Sequence, residues 1–254
     1  MNVLVCVKRV PLTGGKITLT PDEQAIQTRH LGFTVSPHEE CACEEAIRLV
    51  EQHGGSSTVL TLGPAEAEEQ LRDMMAIGID GGIHLVTDGG EWDPQATAAA
   101  IVGAIGLGST EPYDLLLFGN ESADAGNYQV AIRVAQALGL PCVNGVKAIS
   151  VAGGQLRCEQ EVAGGRDVYL VPTPAVVTVL EGINLPRYPS VPGRMRAKRK
   201  PLVASEPARP AATLEMVRLV LPEGSSKQAE VLGRGPEAAL AVVAMLQEIG
   251  VMSR

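Results

Sequence analysis

Thirteen residues, Gly119-Asn120-Glu121-Ser122-Ala123-Asp124-Ala125-Gly126-Asn127-Tyr128-Gln129-Val130-Ala131, have the composition of a phosphate cradle. Small and polar residues leave backbone amides open, and a helix opening at the end of such a turn adds free amides and the positive end of its dipole. The same residues also suit a plain strand-to-helix turn with an Asn or Asp cap, and composition leaves both readings open. A second group is cationic: Arg194, Arg196, Lys198, Arg199 and Lys200 fall within seven residues, directly after the proline-stiffened stretch Pro186-Arg187-Tyr188-Pro189-Ser190-Val191-Pro192-Gly193. An isolated charge run is usually a solvated turn. In an acidic chain, with Tyr188 and Val191 beside it, this one reads as a presented surface suited to an acidic protein partner, where charge speeds and orients encounter.

Other chemistries lack their residues. The four histidines (His30, His38, His53, His84) are scattered, with no two at a ligand or triad spacing. Cys41 and Cys43 lie about 200° apart around a predicted helix, poorly placed to share a metal. The five cysteines are an odd number without a framework of spacings, which fits structural thiols in a reducing compartment. No metal site is expected.

The formal net charge of −8 argues against nucleic-acid binding, and two Phe, four Tyr and one Trp give no stacking platform. No stretch reaches the roughly 18 apolar residues of a membrane span. Lys8, Arg9 and Pro11 follow the first apolar run at once, so a secretory signal is not expected, and the chain is placed in the cytoplasm.

The elements that must position these groups alternate. Strands are predicted over Val3 to Val7, Thr58 to Leu62, Ile83 to Val86, Leu115 to Phe118 and Ala175 to Leu180. Helices are predicted around Ala42, Ala46, Leu49 and Val50, closed by Gly54-Gly55; over Glu66 to Ile77, stopped by Gly78; from Asp93-Pro94 to about Gly103; and from about Tyr128 to Leu138. A loop is expected through Arg29 to Pro37. Alternation of this kind gives an α/β fold with a doubly wound, mostly parallel sheet. From Lys147 antiparallel strands follow, turning at Gly153-Gly154 and Gly164-Gly165. Glu206 to Pro210 reads as a linker, Leu214 to Leu221 as a short strand, and Glu237 to Ile249 as a helix. The expected organisation is one α/β domain over 1–204, with a presented loop at 184–200, and a linker and arm over 205–254.

The order Pro174-Ala175-Val176-Val177-Thr178, Gly182-Ile183-Asn184, Pro186-Arg187-Tyr188, then the basic run resembles the β subunit of electron transfer flavoproteins. So do Met1 to Pro11, Glu44-Glu45-Ala46-Ile47-Arg48-Leu49, Leu62-Gly63-Pro64-Ala65, Ala76-Ile77-Gly78-Ile79-Asp80 and, more weakly, Gln247-Glu248-Ile249-Gly250. The resemblance covers nearly the whole chain up to Pro201. It implies that 1–204 is an adenine-nucleotide-binding type of domain whose loop with Asp124 and Gln129 holds a nucleotide phosphate, and that 184–200 is a partner-recognition loop. Carried over residue by residue, the cofactor contacts are Cys6 at the adenine end of the first strand, Ser36 in place of a usual Asn, the backbone of Leu62 and Gly63, and Asp124, Asn127, Tyr128, Gln129, Val130 and Ala131. Tyr128 replaces a smaller polar residue of many members, and Ala131 replaces a Gly, which narrows the approach of phosphate.

The resemblance further implies an electron carrier: a heterodimer with an α subunit that holds most of the electron-carrying FAD, AMP in this chain or alternatively a second FAD, a flavin dehydrogenase of the acyl-CoA type as donor, and a quinone oxidoreductase as acceptor. Bifurcating members use the second FAD together with NADH. Tyr188, Val191, Arg194, Met195, Arg196 and Lys198 would face the dehydrogenase, with Val191 where members place an inserted Leu; the arm would pack on the α subunit. Fold does not fix function, and the same architecture hosts non-redox nucleotide sensors. An ATP-cleaving ligase would need a Gly-rich loop after the first strand, and Lys8 to Thr13 contains none. The partner loop and the arm set the carrier reading apart from both.

Overall fold

The computed structural model describes the chain except residues 13, 15–16, 108–110, 223–230 and 253–254. In chain order the elements are β1 (Asn2–Val7), β2 (Arg9–Pro11), β3 (Phe33–Val35), α1 (Pro37–His53), β4 (Ser56–Gly63), α2 (Glu68–Ile77, entered through a 3-10 turn), β5 (Gly81–Val86), α3 (Pro94–Ala104) and β6 (Leu115–Gly119). Then come α4 (Val130–Leu138), β7 (Cys142–Ala152), β8 (Gln155–Val162), β9 (Gly165–Pro172), β10 (Ala175–Val179), α5 (Val191–Ala197), β11 (Leu202–Ser205) and α6 (Ala239–Glu248). Contacts divide the chain into two compact units, Met1–Val217 and Arg218–Arg254.

Nine strands form one sheet in the order β11-β5-β4-β1-β6-β10-β7-β8-β9, and β2 pairs with β3 in a small antiparallel ribbon. From β11 to β7 every neighbour is parallel; β8 and β9 are antiparallel. The parallel strands are short apolar runs because both of their faces are covered. Val3, Val5, Val59, Leu115, Leu117, Ala175 and Val177 face α1 and α2, while Leu4, Cys6, Leu60, Leu116, Phe118 and Val176 face the opposite core with α3 and α4. A period-2 strand sends successive side chains to opposite layers, and here both layers are apolar.

From β1 the chain winds outward through β4 to β5, then returns to the other side of β1 as β6. That reversal, between β1 and β6, is the switch point at which open α/β sheets form a ligand crevice beyond the strands' carboxyl ends.

The capping residues behave as their types dictate. Asp93 Oδ1 accepts from Ala96 N at 2.7 Å, with Pro94 opening α3. Asp93 Oδ2 also accepts from Thr213 N at 2.6 Å and Leu214 N at 3.2 Å, and these three backbone hydrogen bonds, with one from the Thr213 hydroxyl, hold its pKa down to about 2, Ala96 foremost. This corrects the expected strand from Leu214 to Leu221: the amides at 213 and 214 are given to Asp93, and no strand forms among the described residues there.

Other elements differ from expectation. β3 forms inside the stretch Arg29 to Pro37 expected as loop, and pairs with β2, a strand not expected, in the ribbon. β7 begins as a parallel partner of β10 at Cys142 and turns antiparallel at Val146, through a bulge at which Gly145 takes φ 62° and gives its amide to Thr178 Oγ1 at 2.8 Å. The second hairpin turns at Ala163-Gly164, with Gly165 already in β9. The basic run is not a loop but largely a helix: Ser190 Oγ caps Gly193 N at 3.1 Å, and Pro192 falls in the first turn, where its missing N–H leaves no bond unmade. β11 follows it back to the sheet edge. In the second unit, α6 carries exposed Leu240, Val243 and Met245.

Candidate functional site

Three segments meet beyond the carboxyl ends of β1 and β6: the first turn of α1, the start of β2 and the turn leading to α4. Ser36 caps α1 with extended backbone, and its Oγ accepts from Ala123 N at 3.0 Å, tying the helix to the 119–131 turn. Glu39 Oε2 accepts from Ser36 N at 3.2 Å and from Lys8 N at 3.1 Å, tying it to β1 as well. The three pieces approach closely because Gly119 has no side chain. A Cβ there would stand 2.7 Å from Glu39 Cγ, 3.0 Å from Glu39 N and 3.1 Å from His38 Cβ.

Lys8 bridges the switch point. Its Nζ lies 2.8 Å from Asp124 Oδ2 and 2.9 Å from Glu91 Oε1. Burial alone would lower the Lys8 pKa, but Glu91 and Asp124 outweigh it and hold the pKa above its ordinary value. Asp124 shifts in the complementary sense: burial opposes its charge, yet the Lys8 ammonium beside it holds its carboxyl below the ordinary range. Beside this pair opens a cleft of ≈ 360 Å³ lined by Ser36, Pro37, His38, the 121–126 turn and Glu181. Asn120, at the root of the turn, accepts from Thr178 Oγ1 at 2.8 Å.

Glu39 is buried, and that burial pushes its carboxyl up to about 8, against the pull of the amides of Lys8 and Ser36. A carboxyl that ionises near 4.5 when unfolded and near 8 when folded keeps its proton in the native state alone across that window. Unfolding then releases a proton, so stability is full below pH 4.5 and falls as pH rises toward 8. Urea unfolding at pH 5, 6, 7 and 8 should show this decline, with a limiting slope of about 1.4 kcal/mol per pH unit. The Glu39→Gln variant should lose that slope; an unchanged slope would assign it to another group.

Of the residues anticipated for the nucleotide, Ser36 and Asp124 line this cleft. Leu62 and Gly63 sit at the carboxyl end of β4, where Gly63 O accepts from Thr87 N at 2.9 Å. Cys6 is buried, its thiol pKa raised by burial and then by Glu39, and it shares the core beneath α3 and α4 with Ala131, a buried residue of α4. Asn127 and Tyr128 are exposed, Tyr128 in the left-handed region at φ 57°, which is uncommon for a residue with a Cβ. Gln129 Oε1 accepts from Arg133 Nη2 at 2.9 Å, and Val130 opens α4 half-buried. Lys8 and Glu39 are added by the structure, and Gly119, which opens the cradle in the sequence, is where α1 comes closest to it. A cation directly after the first strand was the signal for Lys8; nothing local marked its pairing with Asp124.

The small residues from Ser122 to Gly126, the amino end of α4 and the ammonium of Lys8 give this crevice groups that can hold a phosphate. Among the described residues no group of three His, Cys, Asp or Glu could hold a metal, and no helix is long and apolar enough to cross a membrane. All five cysteines are free thiols.

The second site is the chain between β10 and β11. Its near end is fastened to α1: Asn184 Nδ2 donates to Cys41 O at 3.0 Å and Glu45 Oε2 at 2.9 Å, and Arg187 pairs with Glu44 and Glu51. Its far end is fastened to α2. Lys200 Nζ donates to Met75 O, Gly78 O and Ile79 O at 2.6–3.1 Å, capping that helix, and Arg72 Nη1 donates to Ala197 O at 2.9 Å. Gly193 lies so close to α2 that a Cβ would meet Ala76 O at 2.4 Å. Between the pins, Leu185 (82 % exposed), Tyr188 (92 %), Val191 (75 %) and Met195 (65 %) face outward. Arg194 pairs with Asp73 at 2.7 Å, whereas Arg196, Lys198 and Arg199 are exposed. The basic run thus divides between structural and presented charges.

Known proteins resemble the chain along most of this framework. The family model described as Electron transfer flavoprotein domain matches residues 25–210. An electron transfer flavoprotein subunit beta of Bacillus subtilis is 36% identical over 204 residues, 80% of this chain and 77% of its own. The protein of the same name in Syntrophomonas wolfei is 37% identical over 223 residues, 87% of this chain and 86% of its own. That of Bradyrhizobium diazoefficiens is 33% identical over 231 residues, 88% and 90%.

Proposed function

The chain belongs to the electron transfer flavoprotein family as a β subunit, which makes electron transfer its work, and from this we propose that it is the small half of a heterodimeric shuttle. The shuttle takes electrons from an acyl-CoA-type dehydrogenase and passes them to a quinone oxidoreductase. FAD, held mainly by the α subunit, supplies the redox chemistry. This chain contributes binding, orientation and recognition. The observation that carries the reading is the apolar, exposed and doubly pinned stretch from Leu185 to Met195. Apolar side chains held out on a fixed frame suit a protein partner, with Tyr188 and Val191 as the apolar contacts and Arg196 and Lys198 on the charged rim.

AMP is the ligand proposed for the β1/β6 crevice. Ser36, Asp124 and the 126–131 backbone would hold it, with Lys8 released from Asp124 to face the phosphate. A second FAD is the competing occupant, favoured by one observation: Glu91 and Asp124 stand on Lys8, and Glu121 lines the cleft. Carboxylates so placed oppose the two charges concentrated on the single phosphate of AMP more than the two charges that the pyrophosphate of FAD spreads over both its phosphorus centres. Exposed Leu240 and Val243 of α6 support an arm that packs on the α subunit, and five free thiols accord with a cytoplasmic location.

The deciding experiment is co-expression with the α subunit, denaturation, and chromatographic counting of released cofactors. One FAD and one AMP per heterodimer is the expected result. Two FAD and no AMP would make the protein a bifurcating enzyme coupled to NADH. A chain that captures no α subunit would return it to the class of nucleotide sensors.

A further inference from the structure

From Glu181 to Ser190 the chain forms neither helix nor strand, so no ladder of backbone bonds fixes the residues that carry Leu185 and Tyr188. One side chain stands in for that ladder. Arg187 gives its amide to Glu44 Oε2 at 3.1 Å and its Nε to the same oxygen at 2.9 Å; Nη2 reaches Glu44 Oε1 at 3.1 Å. The opposite edge of the guanidinium reaches Glu51, Nη1 to Oε1 at 2.8 Å and Nη2 to Oε2 at 3.1 Å. Two carboxylates, seven residues and about two turns apart on α1, are thereby bridged by a single planar group. Glu44 is buried, and although burial opposes its charge, Arg187 and Arg48 hold its carboxyl below the ordinary range. Only the loop carries the fork; α1, the partner of the fork, is a long element rooted in the core.

We propose that Arg187 is the positioning residue of the partner loop: by bridging Glu44 and Glu51 it fixes the backbone on which the neighbouring Tyr188 is held out for the dehydrogenase. The inference rests on the reading of Leu185 to Met195 as the partner surface. Its physical content is pre-organisation. A loop already ordered before encounter loses little freedom on binding, while a loose one must be ordered by the partner, which weakens association without touching the electron-transfer step. Lysine cannot replace the fork, since one ammonium is a point charge that cannot bridge both carboxylates in plane.

The test uses the full heterodimer with wild type, Arg187→Ala, Arg187→Lys, Glu51→Gln and Val191→Asp. Two quantities are read: hydrogen exchange of the 183–190 segment, and the apparent KM and kcat for transfer from a short-chain acyl-CoA dehydrogenase reduced with butyryl-CoA. Arg187→Ala should speed exchange in that segment, raise the apparent KM about tenfold and leave kcat and flavin content as in wild type. Arg187→Lys should recover part of both losses. Glu51→Gln, at an exposed carboxylate outside the core, should shift exchange the same way by less, which covers the case in which Arg187→Ala misfolds. Unchanged exchange in Arg187→Ala and Glu51→Gln overturns the proposal. So does an unchanged KM in Arg187→Ala when Val191→Asp has lost transfer. If Val191→Asp transfers normally, the partner-surface reading is what fails, and exchange alone judges Arg187.

Discussion

Val191→Asp should lower electron transfer from the dehydrogenase by at least about 100-fold while FAD content and far-UV dichroism stay at wild-type levels. The chain itself has little reason to notice the change. Val191 is exposed and opens α5, where an acidic residue suits the amino end of the helix. The cost arises only on docking, when an unpaired carboxylate must enter an apolar pocket; roughly 3 kcal/mol of such a penalty is about 150-fold in rate. Val191→Leu should act in the opposite direction. One further buried methylene contributes about 0.8 kcal/mol, close to a fourfold gain in affinity. Stopped-flow transfer at matched flavin content measures both, and normal transfer by the Asp variant would place the dehydrogenase elsewhere.

Gly119→Ala should empty the nucleotide crevice and weaken the domain together. The new methyl would stand 2.7 Å from Glu39 Cγ and 3.0 Å from the Glu39 amide, and the second of these is backbone in the first turn of α1. Relief requires β6 and α1 to part, which strains the Ser36–Ala123 and Glu39–Lys8 hydrogen bonds as well. Overpacking of this kind costs about 1–3 kcal/mol. Thermal unfolding should register that loss, and the count of released adenine nucleotide should fall toward zero for this subunit's site while the FAD of the α subunit is retained. A wild-type nucleotide count in this variant would show that the ligand does not sit where α1 and β6 meet.

The parallel core was legible because its signals are local. The runs at Val3–Val7 and Leu115–Phe118, the Gly after α1 and the Asp-Pro before α3 each carry their reason within a few residues. The misses have a common cause in distance. β11 is four residues long, too short to show a period, and exists because β5 offers it an edge. Leu214 gives its amide to Asp93, far back in the sequence, where local pattern suggested a strand. The prolines around Val191 read as loop, yet Pro192 sits where a helix tolerates it. At the site, the 119–131 turn announced itself by composition. The Lys8–Asp124 pair did not, because only the return of the chain to the far side of β1 brings those residues together.

The crossing from β10 to β11 also sets an order of assembly. β11 pairs with β5 in the register Leu202↔Gly82, a separation of about 120 residues, and contacts of such range close late in folding. The far pins of the crossing, Gly193 and Lys200, need α2 already in place. A chain still folding therefore has no finished face to offer a partner. The proposed partner face exists only on molecules whose sheet is complete.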